Sequence, residues 1–182
     1  MDEPIRIRTV FVRAGDQRAR LASFVAVLAA AACVVRFGFS ARGGIAAYVT
    51  AVLVVLAAID LDRRILPNTI VLPSAAIVYI AQLAFFPSHA LEWTLAAFGC
   101  ALFFLVTLLV YPAGLGMGDV KLGLLLGAAL GKSVIAALFF GLLAAGAFGV
   151  VLVVARGGSA RKTAIPLGPF LAAGALLTLL VG

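Results

Sequence analysis

The chain has 182 residues, of which 65% are hydrophobic and only 12% charged, with a mean hydropathy of +1.23. A soluble domain carries about a quarter charged residues, so a water-soluble globule is excluded. Disorder, a collagen-like repeat (19 glycines without a period of three) and a disulfide-rich secreted scaffold (two cysteines) are excluded too. The net charge of +7 and the pI near 10.3 come from cations standing between apolar runs, the pattern of a positive-inside bias rather than of nucleic-acid binding. The expected fold class is all-α: a polytopic membrane helical bundle, with the lipid bilayer as solvent and no nucleic acid partner.

A bilayer core of about 30 Å needs roughly 20 apolar residues per helix. Seven segments are expected: Leu21–Phe39, Gly44–Ile59, Thr69–Phe86, Leu91–Tyr111, Val120–Leu130, Ser133–Ala155 and Pro166–Val181. Between them stand the breaks Arg42-Gly43-Gly44, Leu66-Pro67-Asn68, Pro87-Ser88, Pro112-Ala113-Gly114, Gly131-Lys132 and Gly157-Gly158. The fifth segment is short, about 17 Å of helix, so six crossings are the alternative. The basic tail Met1–Arg20 precedes a membrane-embedded domain over 21–182. The first apolar run follows that tail as a signal peptide would, but it continues past Cys33 and another crossing soon follows, which favours an uncleaved helix. Cys33 and Cys100 lie in apolar stretches without a CxxC, and read as small buried residues rather than as a zinc site or a disulfide.

With the N-terminus cytoplasmic, the inner side holds Arg6, Arg8, Arg13, Arg18, Arg20, Arg63, Arg64, Lys121, Arg156, Arg161 and Lys162. The outer side holds only Arg36, Arg42 and Lys132. This asymmetry sets the orientation as N-in and C-out.

Of the seven acids, Asp60, Asp62 and Asp119 fall at the ends of membrane segments, where desolvating a carboxylate is costly and a functional role is the default reading. Asp60 ends the apolar run that closes the second segment, and Asp119 opens the fifth. Two crossings separate them, so both lie at one membrane surface, and the cation count makes it the cytoplasmic one. Two carboxylates that meet share one proton and titrate as a unit. That suits peptide hydrolysis: the ionised partner takes a proton from water while the protonated one polarises the scissile carbonyl. The stretch Gly114-Leu115-Gly116-Met117-Gly118-Asp119 lacks side-chain bulk and lets backbone approach a ligand. It is not a Walker loop, because Asp119 stands where lysine is needed, and it lacks the strand–turn–helix setting of a dinucleotide fingerprint.

Three stretches resemble the type IV prepilin peptidases, membrane-embedded aspartic proteases of the GxGD class. They are Ile59-Asp60-Leu61-Asp62-Arg63-Arg64-Ile65-Leu66-Pro67-Asn68, the element Gly116-Met117-Gly118-Asp119-Val120-Lys121-Leu122, and Ile165-Pro166-Leu167-Gly168-Pro169-Phe170-Leu171-Ala172. The resemblance implies that Asp60 and Asp119 are the catalytic pair. It implies cleavage of the short basic leader of prepilins or pseudopilins after a glycine, at the cytoplasmic face of the inner (plasma) membrane. Pilus or type II secretion machinery would then be the wider partner. Full-length members usually add a zinc-binding cysteine domain linked to N-methylation. With no cysteine quartet in this sequence, the expectation is a peptidase without methyltransferase activity, needing no metal and no other cofactor.

Around the pair, Gly116, Gly118, Lys121 and Asp62 are the candidate supporting residues. Asp62, in the polar run Asp62-Arg63-Arg64, is either a solvated loop acid or an aid to the pair's protonation or to leader binding. Lys121 either biases Asp119 towards ionisation or anchors the inner face. Asn68 reads as the cap of the third segment, Pro166, Gly168 and Pro169 as packing at the start of the last one, and His89 and Glu92 as interface residues on the opposite face. The competing reading from another class is a proton- or cation-coupled transporter component using the same carboxylates. The absence of an evident repeat, and the acids' position at segment ends, disfavour it.

Overall fold

The computed structural model describes residues 27–156 and 166–181, apart from positions 29, 34, 39 and 113. The tail Met1–Arg20, the Gly157-Gly158 break, Arg161 and Lys162 lie outside the described residues. Helical residues up to Phe37 lead into α1 (Ala41–Arg63), α2 (Asn68–Phe85), α3 (Ala90–Val110), α4 (Met117–Leu130), α5 (Val134–Arg156) and α6 (Gly168–Val181). Single 3-10 turns at Pro87–His89 and Gly131–Ser133 join α2 to α3 and α4 to α5. The described residues contain no strand, as an all-α bundle requires.

Among the described residues, four stretches are long and apolar enough to cross a membrane: Ala41–Arg63, Asn68–Phe85, Pro87–Val110 and the continuous run Met117–Ala155. Gly168–Val181 is a shorter apolar helix. Against the seven separate crossings expected, of which Leu21–Phe39 falls partly outside the described residues, four stretches among the described residues meet the length and hydropathy of a span.

Two helix boundaries differ from the sequence expectation in ways that matter. α1 runs to Arg63 instead of stopping at Ile59, because Arg64 adopts a left-handed conformation (φ 53°) and its N–H caps the Asp60 carbonyl at 2.8 Å. Asp60 and Asp62 are thus helical. Two residues along a helix turn the side chain by about 200°, which leaves Asp60 buried and Asp62 exposed. α4 starts at Met117, three residues before the expected segment, so Gly118 and Asp119 belong to its first turn and not to a flexible loop.

The helices alternate in direction. Asp60 on α1 and Asp119 on α4 line one cavity, while Arg42, Gln82, Glu92 and Leu130 line another at the far ends of α1, α2, α3 and α4. α4 is the central helix, buried along Leu122, Gly123 and Leu125–Leu130. In lipid no hydrophobic gain draws helices together, so close van der Waals contact through small residues takes over. Gly123, Gly127 and Gly131, each four residues apart, face Phe104, the Ala96 carbonyl and Trp93 of α3 in turn. A Cβ at Gly123 would stand 2.6 Å from the Phe104 ring, and one at Gly127 would be driven into backbone. Gly141 and Gly174 perform the same service between α5 and α6. Cys33 and Cys100 are buried and free, as expected, with Cys33 Sγ 3.3 Å from Thr50 Oγ1 of α1.

Replacing Gly127 by alanine is expected to destabilise the bundle by about 1–3 kcal/mol through overpacking. Gly146→Ala, where nothing lies within 4 Å of the added Cβ, serves as the control. Thermal unfolding in detergent should show a lower midpoint for the first variant alone; equal midpoints would contradict the α3–α4 approach.

Candidate active site

Asp60 sits in the last turn of α1, where its own helix presents outward-pointing carbonyls and disfavours negative charge. It is only 6% exposed, so it must find a donor. The donor is the backbone N–H of Gly168, 2.9 Å from Oδ2. Gly168 is the first residue of α6, Pro169 has no N–H, and the N–H of Phe170 turns back to the Leu167 carbonyl. The one free donor of that first turn is therefore aimed at Asp60, with the positive end of the α6 dipole behind it. No side chain fits between them: a Cβ on Gly168 would lie 2.7 Å from Asp60 Oδ2.

Asp119 is half-buried in the first turn of α4. Its Oδ2 accepts the backbone N–H of Gly116 at 2.9 Å, the carboxylate half of a capping box. Gly118 is a packing site: a Cβ there would come within 2.9 Å of Leu66 Cβ, so the glycine lets the start of α4 lie against the α1–α2 loop. Asp60 and Asp119 are thus each anchored through Oδ2 to a backbone amide from a different helix start.

Both carboxylates line one cavity of about 360 Å³, together with Arg64, Leu66, Gly114, Gly116, Gly118 and Pro166. Of the residues singled out in the sequence, the fold brings Asp60, Asp119, Gly116 and Gly118 together and leaves Asp62 and Lys121 outside the lining. Lys121 Nζ donates instead to Asn68 Oδ1 at 2.7 Å, tying α4 to α2. Asn68 is consequently not the helix cap that was expected: Pro67 holds that position and no side chain caps it. Glu92 and His89 lie at the other end of the bundle with Arg42 and Lys132.

Sequence reasoning missed two residues of the site. Gly168 was read as packing, although a Gly-Pro pair opening an apolar segment marks a helix N-terminus, and such a terminus seeks an anion. Arg64 was counted only as a surface cation, and nothing in its sequence setting announces the left-handed conformation that sets it in the cavity wall.

A family model described as the type IV leader peptidase family matches residues 47–154, which include Asp60 and Asp119. A relative from Bacillus subtilis (strain 168), named prepilin leader peptidase/N-methyltransferase, is 31% identical over 155 residues. The match covers 84% of this chain and 61% of that relative's length. No solved structure matches the chain significantly.

Proposed function

The chain belongs to the type IV leader peptidase family, and we propose that it is a membrane aspartic endopeptidase that cuts the short basic leader from prepilin-like proteins. The observation that carries this reading is the convergence of Asp60 and Asp119, 59 positions apart in sequence, on a single cavity at one end of an apolar bundle. Asp60 and Asp119 are the catalytic residues in this proposal, and Gly116, Gly118 and Gly168 position them.

The chemistry follows from two carboxyl groups sharing a site. One is ionised and removes a proton from a water held between them, while the other, protonated, donates to the scissile carbonyl oxygen. Water attacks the carbonyl carbon, the protonated aspartate neutralises the developing oxyanion, and the proton taken from water passes to the leaving amine as the C–N bond breaks. Backbone anchoring of each Oδ2 fixes the carboxylates before substrate arrives, so little reorganisation is needed in the transition state. The position of both acids at helix ends suits a peptide bond just outside the membrane. In the N-in orientation this end of the bundle lies at the cytoplasmic face of the plasma membrane. The transport reading has no comparable observation behind it.

The test is co-expression with a prepilin bearing a short basic leader, glycine at the −1 position and an apolar stem, with mass spectrometry of the new N-terminus. Wild type should cut after the glycine, and Asp60→Asn and Asp119→Asn should each lose at least about 10²-fold in rate while inserting normally. Substantial cleavage by either variant would sink the assignment.

Gly168→Ala removes no functional group, yet it displaces the Asp60 carboxylate. Misplacement of a catalytic group by about 1 Å can cost 10²-fold, so cleavage should fall by about 10- to 100-fold with membrane levels unchanged. Full activity in this variant would mean that the α6 amide does not position Asp60 for the reaction.

A further inference from the structure

The end of the bundle opposite Asp60 and Asp119 carries a second cavity, of about 340 Å³. Arg42, Lys132, Glu92 and the buried Gln82 are in its wall, so two cations face one carboxylate. That carboxylate is already engaged, with Glu92 Oε1 accepting the Lys132 backbone N–H at 3.2 Å. The Arg42 guanidinium lies over the Phe86 ring, 5.1 Å from its centre, a contact that offers its N–H groups no oxygen acceptor. The wall also holds Trp93, whose buried indole N–H has no acceptor among the described residues.

This polar cavity adjoins an apolar groove of about 930 Å³ between α3 and α5, and the two share His89, Glu92 and Lys132 in their walls. Leu91, Leu95 and Phe103 of α3 and Ile135 and Phe139 of α5 line the groove and remain largely exposed. From Leu91 to Phe103 the helix rises about 18 Å. One leaflet of a hydrocarbon core about 30 Å thick has roughly that depth. A membrane-crossing substrate helix would need a groove of about 30 Å, and here the apolar lining stops at Phe103, two-thirds of the way along α3.

A charged cavity beside an apolar slot one leaflet deep, with Lys132 in the wall of both, is the negative image of an amphiphile. We propose that this is a binding site for one anionic phospholipid, with its phosphodiester held by Arg42 and Lys132 and an acyl chain lying along the α3–α5 groove. The excess of one positive charge in the cavity matches the single charge of the phosphodiester. The inference rests on the chain's spanning a membrane but not on the chemistry of Asp60 and Asp119, because lipid binding is read without any leader substrate. The bound lipid would brace the α4–α5 turn and with it α4, the helix that carries Asp119.

The experiment uses the full chain, purified in detergent, stripped of lipid and titrated with phosphatidylglycerol while bound lipid is counted by native mass spectrometry. Wild type should hold one molecule. The double variant Arg42→Gln/Lys132→Gln, two exposed positions, should bind about tenfold or more weakly, each cation near a phosphate contributing about a factor of five. Gly99 lines the groove with nothing within 4 Å of an added Cβ, so Gly99→Leu can project a side chain into the slot from a backbone position that accepts one. It should weaken binding to a similar extent even with both cations intact. Equal retention by wild type and both variants would overturn the proposal in favour of unspecific annular lipid. Loss in the cation variant alone, with inorganic phosphate displacing the lipid and Gly99→Leu behaving as wild type, would also overturn it, leaving an anion site without an acyl slot. Each variant's thermal midpoint and leader cleavage are followed in parallel, and Gly99→Leu decides the matter if the double variant does not fold.

Discussion

The close approach of α3 to α4 governs the rest of the molecule. A bundle in lipid cannot rely on water to drive its helices together, and α4, with only 14 residues, is too short to be held in place by hydrophobic length. Gly123 and Gly127 of α4, with Gly131 just past its end, solve this by letting α3 backbone and rings lie directly against them. With α4 fixed along its length, its first turn is fixed as well, and Asp119 with it. The constraint acts far from the carboxylates it positions.

Asp60 meets a different difficulty. It is a buried acid at the end of its helix where the dipole opposes it, and of its sequence neighbours only Arg64, one turn on in the same cavity wall, brings an opposite charge beside it. Further relief comes from 108 residues away, at the start of α6, where a glycine allows the helix end to touch the carboxylate and a following proline leaves that amide as the available donor. The two aspartates therefore rest on one device used twice: a carboxylate tied to the backbone N–H at a helix start. In Asp119 the helix is its own, and in Asp60 it is another. Such anchoring leaves the second oxygen of each group for chemistry and restricts the rotamers that would pull the pair apart.

How much of this could be read from the residues follows from the physics of each feature. The helices were legible because apolar runs and glycine–proline breaks are local signals, and the shared surface of Asp60 and Asp119 followed from parity alone. Boundaries were less so: α1 overran Ile59 because charged residues are as helical as apolar ones once the helix leaves the lipid, and only the left-handed Arg64 stops it. The separation of Asp60 from Asp62 became visible only once both were known to be helical. Gly168 was hidden for a related reason. The hydrogen bond it makes is a long-range tertiary event, and a helix start reads the same in sequence whether or not a carboxylate awaits it. Asn68 had a plausible local role as a cap, but Pro67 takes that position and Asn68 instead accepts from Lys121 of α4, a contact 53 residues away in sequence that no local signal announces.

The claim that the fold places Asp60, and not Asp62, against Asp119 is the one most directly open to test. With Cys33 and Cys100 replaced by serine, cysteines introduced as Asp60→Cys with Asp119→Cys should be joined in membranes by a short thiol-specific cross-linker. The two halves would stay together on a non-reducing gel after cleavage at a protease site inserted between them. The pair Asp62→Cys with Asp119→Cys should remain unlinked under the same conditions. Efficient joining of the second pair, or failure of the first in protein that inserts normally, would contradict the account.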